Sequence, residues 1–273
     1  MDLKDLLVHL DSGARADERL ALALTLAHRH GARLTGLFAE STTLGGSLVG
    51  RRERENVARA AAGVRARFEA ACAKAGVASR FWVVEGDEDG PVIDGAVVCC
   101  RRVDLAILGQ QQGDPAPVPA GLVERVVAGA GRPAIVVPSI GTYRDAGRRV
   151  LVAWSGSREA ARALHDALPL LERAERVTVL ALRLPSEGAG GGGLPHLDLR
   201  EHLEAHGVSA TYDHWLVGDL GAVDAVLNRA ADEGADLAVV GAFGLLGHPL
   251  LGGDGKTTRA ILETMTTPVL LSA

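Results

Sequence analysis

The sequence is poor in cysteine, in aromatic residues and in long uninterrupted apolar runs, and each shortage excludes something. Only Cys72, Cys99 and Cys100 occur. That is an odd number with no Cys-x-x-Cys spacing, so neither a disulfide framework nor a zinc knuckle is indicated, and buried small hydrophobes are expected. Aromatic residues make up 3% of the chain, too few for a base-stacking platform. The net charge of −5 argues against bulk attraction to nucleic acid or to an anionic membrane. No stretch approaches the roughly 18 apolar residues of a membrane span, and the apolar run ending at Leu10 is too brief for a secretory leader. A cytoplasmic protein is expected.

What is abundant is hydrophobic residue, at 47%, enough for a sizeable core. Glycine is also abundant: 34 of 273 residues, or about 12% against an average near 7%. The chain repeats itself. Leu6 to Gly13 (LLVHLDSG) matches Val150 to Ser157 (VLVAWSGS), and Gly86-Asp87 returns 132 positions later as Gly218-Asp219. Asp104 to Gly109 (DLAILG) returns at the same offset as Asp236 to Gly241 (DLAVVG), and Pro133 returns as Pro268. Landmarks in one order at near-constant offset mark a duplication. The copies span 1–140 and 147–273, joined by a linker over Ser139–Arg149.

In the first copy the pattern predicts strands over Asp5–Leu10, Arg33–Ala39, Ser79–Glu85, Leu105–Leu108 and Ala134–Val137. Helices are predicted over Ala16–His30, Arg51–Ala75, Pro91–Arg101 and Leu122–Ala128. In the second, strands are predicted over Val150–Trp154, Val177–Leu182, Ala210–Val217, Leu237–Val240 and Val269–Leu271. Its helices fall over Arg158–Leu171, Leu197–His206, Ala222–Glu233 and Thr257–Thr264. Continuous Val/Ile/Leu runs alternating with helices indicate parallel sheets covered on both faces. Asp87 and Asp219 are predicted N-caps, and Glu187–Gly193 (EGAGGGG) reads as a spacer.

Ligands of doubly wound sheets sit beyond the carboxyl ends of the strands, where strand order reverses. In the second copy the loop at that place opens with Gly241-Ala242-Phe243-Gly244. It continues through Gly247, Gly252, Gly253 and Gly255 into Lys256, Thr257, Thr258 and Arg259. Glycine amides and a helix N-terminus together favour phosphate. A P-loop reading of Gly255-Lys256-Thr257 fails because Leu250 stands where its leading glycine belongs.

These features resemble a tandem member of the universal stress protein (UspA) family: the duplicated α/β pattern, Gly241-x-x-Gly244 followed by Gly255-Lys256-Thr257-Thr258-Arg259, and the closing Pro268-Val269-Leu270-Leu271. The resemblance implies two tandem doubly wound five-stranded parallel sheets, Rossmann-like, in the order 3-2-1-4-5 and paired by pseudo-two-fold symmetry. ATP-binding members carry G-x2-G-x9-G-[S/T] after strand 4 and an Asp after strand 1. The contacting set this implies is Ala153, Ser155, Leu182, Gly241, Gly244, Gly253, Gly255, Lys256, Thr257 and Thr258. Nine residues after Gly244 the register falls on Asp254, so either Gly253 or Gly255 takes the third glycine's role, and Mg2+ would offset the Asp254 carboxylate. Ser155 replaces the family Asp. The first copy keeps that Asp as Asp11 but has Gln112 at the second glycine and Pro115, Pro117 and Pro119 in the loop, and is expected not to bind.

The function implied is a cytosolic stress-response regulator binding ATP, with or without Mg2+, or another adenine nucleotide in its second domain. Hydrolysis is expected to be slow or absent, because no general base and no G-x-S-x-G elbow is in place. The alternative is a member with no cofactor that works as a scaffold through protein clients, possible homodimerisation included. No metal site is expected; His202 and His206, like His28, His30 and His165, are read as surface histidines.

Overall fold

The structure, a computed structural model, describes residues 2–41, 48–86, 88–111, 118–183, 199–216, 221–243 and 255–273. The chain divides into two compact units, Asp2–Asp145 and Ala146–Ala273.

In the first unit the elements are β1 (Asp5–Leu10), α1 (Ala16–His30), β2 (Arg33–Ala39), α2 (Leu48–Ala75), β3 (Ser79–Val84), α3 (Asp89–Cys100), β4 (Leu105–Gly109), α4 (Leu122–Gly129) and β5 (Ala134–Val137). The strands lie in the order β3-β2-β1-β4-β5, every described pair parallel. The second unit contains β6 (Arg149–Trp154), α5 (Arg158–Leu171), β7 (Arg176–Arg183), α6 (Leu199–Ala205), β8 (Ala210–Leu216), α7 (Ala222–Asp232), β9 (Leu237–Gly241), α8 (Lys256–Thr264) and β10 (Val269–Ser272). Its strands lie in the order β8-β7-β6-β9-β10, again parallel. Each half therefore has the doubly wound order 3-2-1-4-5.

Registers show the duplication at residue level. Leu6 lies between Leu34 and Leu105, and Val150 lies between Val177 and Leu237. The strands are near-continuous apolar runs because both faces are covered: Leu6, Leu7, Val8, Leu105, Ala106, Ile107, Val150, Leu151 and Val152 are all buried.

Helix α1 shows how the sequence sets its boundaries. Ala16, Leu20, Ala23 and Ala27 recur at helical spacing on its buried face. Gly31 ends it at φ 58°, its N–H on the carbonyls of Ala27 and His28, a conformation that suits glycine. Two expectations need correction. His30 is buried, not superficial, because it continues the stripe of Leu22 and Leu26. The N-caps of α3 and α7 are Glu88 and Gly221, neither making a side-chain cap. Those helices start beyond the expected aspartates, since extended backbone at Glu88 and Gly221 already turns the chain into the helix. Asp87, Asp219 and the Glu187–Gly193 spacer lie outside the described residues. Cys72 and Cys100 are buried, whereas Cys99 is only half-buried.

Candidate functional site

In the second unit, strand order reverses between β6 and β9, and their carboxyl ends open a cleft there. Ala153 and Ser155 line it from the end of β6, Leu182 from β7, and Val240 and Gly241 from β9. Helices complete it with Ala160 of α5, Ala222 and Val226 of α7, and Thr257 and Ile261 of α8. The space is about 290 Å3, its open mouth included.

Two local devices shape this cleft. At Gly241 a Cβ would lie 2.5 Å from the Glu159 carbonyl carbon and 2.6 Å from the Ala160 nitrogen. The first turn of α5 therefore packs backbone to backbone on the end of β9, which only glycine permits. At the end of β6, Ser155 Oγ donates to Ser157 Oγ at 3.1 Å. Ser157 is the N-cap of α5 and accepts from the Ala160 N–H, also at 3.1 Å. With its proton committed, the Ser155 oxygen is presented as an acceptor.

Helix α8 begins beside this cleft. Its N-cap, Gly255, has φ 68°, and a Cβ there would strike the Phe243 ring at 2.8 Å. Phe243 is itself at φ 52°, and its N–H donates to Thr258 Oγ1 at 3.1 Å. Thr258 is buried; its hydroxyl serves this internal bond and it is not part of the cleft wall. Lys256 is exposed. The expected contact residues Ala153, Ser155, Leu182, Gly241 and Thr257 thus come together, whereas Gly255, Lys256 and Thr258, at the start of α8, are not on that lining. Gly244, Gly253 and Asp254 lie outside the described residues.

At the corresponding strand ends of the first unit stands a buried ion pair. Asp11 forms an ion pair with Arg19, the two side chains 10% and 6% exposed. Arg19 Nε also donates to the His9 carbonyl at 3.0 Å, and Asp11 accepts from the Gly13 N–H at 2.7 Å. The Arg19 guanidinium covers the end of β4, where a Cβ on Gly109 would meet it at 2.5 Å. Glu40, buried beside this pair, accepts from the Ser12 N–H, and burial raises its pKa. His9 Nε2 lies 3.1 Å from the Ala39 carbonyl. Burial, then the Arg19 charge, lower the His9 pKa to about 4. Gln110 and Gln111 turn inward, bonding the Ser139 N–H and the Pro119 carbonyl. Gln112, Pro115 and Pro117 lie outside the described residues.

No protein-family model matches the chain, and no curated protein does. Solved structures do. A universal stress protein from Archaeoglobus fulgidus DSM 4304 superposes with a TM-score of 0.75 at 15% identity, over 98% of this chain and 97% of that one. A putative universal stress protein from Pseudomonas aeruginosa matches at TM-score 0.56 and 14% identity, over 99% and 93%. The chain has the tandem universal stress protein fold. The same architecture matches the cytoplasmic domain of a prokaryotic cation chloride cotransporter, at TM-score 0.54 and 10% identity, over 99% and 95%.

Within this universal stress protein fold, the first unit's buried Asp11–Arg19 pair went unread from the sequence. Its signals were a histidine inside the apolar run of β1 and an arginine on the apolar stripe of α1. His202 and His206 stack edge to face at 4.8 Å between centroids. Among the described residues no cluster of three or more His, Cys, Asp or Glu forms a metal site, and no helix is long and apolar enough to cross a membrane.

Proposed function

We propose that the chain is a stress-response regulator whose second unit binds ATP or another adenine nucleotide in the cleft between the ends of β6 and β9, with hydrolysis slow or absent. The observation that carries this reading is the cleft's position and make-up. It lies at the strand-order reversal, where doubly wound folds bind ligands. Its aliphatic walls suit a flat heterocycle, and hydroxyls of Ser155 and Thr257 stand on its lining. The Ser155 oxygen, left as an acceptor by its bond to Ser157, offers a partner for a ribose hydroxyl or a base N–H. With ATP as ligand, Mg2+ would arrive on the phosphates.

A second reading is a ligand-free interaction module acting through protein clients. It is favoured by the first unit, where a buried Asp11–Arg19 pair stands at the ends of β1 and β4. Denaturing the purified chain and assaying for released adenine nucleotide, then titrating Mg-ATP by calorimetry and thermal shift, separates the two. Binding should stabilise the second unit by about 2.7 kcal/mol at a hundredfold excess over Kd. No released nucleotide and no heat or shift at millimolar Mg-ATP would favour the ligand-free module.

A further inference from the structure

Helix α6 carries an imidazole pair that the nucleotide-binding reading does not use. His202 lies in its last turn and His206 one residue past its end, both exposed. Four residues is close to one helical turn, so the two side chains share a face. The backbone beneath them is fixed. Gly207 takes φ 72° with its N–H on the Glu204 carbonyl at 2.9 Å, and the Val208 N–H returns to the Leu203 carbonyl, also at 2.9 Å. This glycine-centred stop is anchored by Leu203 and Val208, both buried. At the other end of the helix, Arg200 lies over the Tyr212 ring of β8 at 4.3 Å.

On this support the His202 and His206 ring centroids stand 4.8 Å apart, with the planes at 66°. That is the spacing of two ligands on one ion. A zinc ion sits about 2.0–2.1 Å from an imidazole nitrogen and so roughly 3.2 Å from the ring centre; two rings at about 90–110° around it have centres about 4.5–5.2 Å apart. We propose that His202 and His206 form a chelating site for a divalent transition-metal ion of the Zn2+, Ni2+ and Cu2+ class, with water completing the coordination. Imidazole suits these ions, whereas Mg2+ and Ca2+ prefer oxygen ligands. The carbonyl end of a helix, where the pair stands, also favours a cation. None of the residues lining the cleft comes from α6, so this site stands apart from the nucleotide. Its effect falls on α6 itself. The helix has seven residues, of which Leu203 is buried, and a helix that short does not hold itself in water. An ion bridging His202 and His206 ties the last turn in its helical form, so metal binding and the order of α6 are linked.

The test is calorimetric titration of the full chain with ZnCl2 in a non-chelating buffer, repeated on His202→Ala, on His206→Ala and on His28→Ala as a lone-histidine control. All three positions are exposed, and thermal melts establish that each variant is folded. The second imidazole of a chelate binds as an intramolecular event, so losing either one should weaken Zn2+ binding by about tenfold or more, with His28→Ala unchanged. Zn2+ should also raise the melting temperature and slow amide exchange in α6 of the native chain, and do neither in the His202 and His206 variants. No binding by the native chain at about millimolar Zn2+ overturns the proposal. So does an affinity unchanged in both α6 variants, which places the ion elsewhere, or a loss in only one of them, which leaves a single ligand and no chelate.

Discussion

Replacing Arg19 with methionine tests whether the first unit is held by its own charges. The substitution removes the partner of Asp11, the hydrogen bond to the His9 carbonyl and the cover over Gly109. Asp11 keeps only part of its compensation among its described bonds, the Gly13 N–H at 2.7 Å. Stranding one member of a buried pair costs about 3–5 kcal/mol, mostly because the remaining charge is left without water or counterion. Replacing both members, as Asp11→Asn with Arg19→Met, removes that charge and should recover about 2 kcal/mol or more of the loss. Urea unfolding provides the assay. Trp82 is the one tryptophan of the first unit, and Trp154 and Trp215 lie in the second, so a background with both changed to phenylalanine reports on the first unit alone. With a slope of about 1–3 kcal/mol per molar urea, the single variant should lower that unit's midpoint by roughly 1–5 M. A loss below about 1 kcal/mol, or a double variant as unstable as the single one, would show that this ion pair does not hold the first unit together.

Further outcomes are expected. His9 has a folded pKa of about 4 against 6.5 unfolded, so the unfolded chain binds the proton first. Its contribution is present above pH 6.5 and lost as pH falls towards 4, by about 3 kcal/mol. Glu40, raised by burial, acts in the opposite sense and offsets part of this in acid. Trp82-monitored melts from pH 7.5 to 4 should show a shallower loss for His9→Gln than for the native chain. Gly241→Ala places a methyl group 2.5 Å from the backbone of α5, so it should cost about 1–3 kcal/mol in thermal melts and abolish ligand binding in the cleft. Ser155→Ala should weaken adenosine binding about 2- to 10-fold by titration, the worth of one hydrogen bond, with little change in melting temperature.

Much of this fold was legible in the sequence because strands buried on both faces spell themselves as short Val/Ile/Leu runs. Asp5–Leu10, Arg33–Ala39 and Ala134–Val137 form strands over the expected residues, and α1 and α5 likewise keep their expected bounds. Ends without such a signature moved: α2 begins at Leu48 and α3 at Asp89, where Gly50 and Gly90 fit either helix or loop. The cleft's place followed from strand order, and Ser155 and Gly241 from the repeat. What sequence left hidden depends on contacts between distant residues. Arg19 stands on the apolar stripe of α1, but its partners show only once the packing of α1 on β1 and β4 brings it to Asp11 and Gly109. Thr258 reads as a phosphate donor until the packing of α8 against the turn after β9 buries its side chain.

The most direct measurement is a crystal structure of the full chain grown with Mg-ATP or adenosine. The account expects density for a purine in the second unit, against Ala153, Leu182 and Val226 with Ser155 Oγ within hydrogen-bond reach, and none beside Asp11 and Arg19. An empty second cleft at saturating ligand, or a purine seated in the first unit instead, would contradict it.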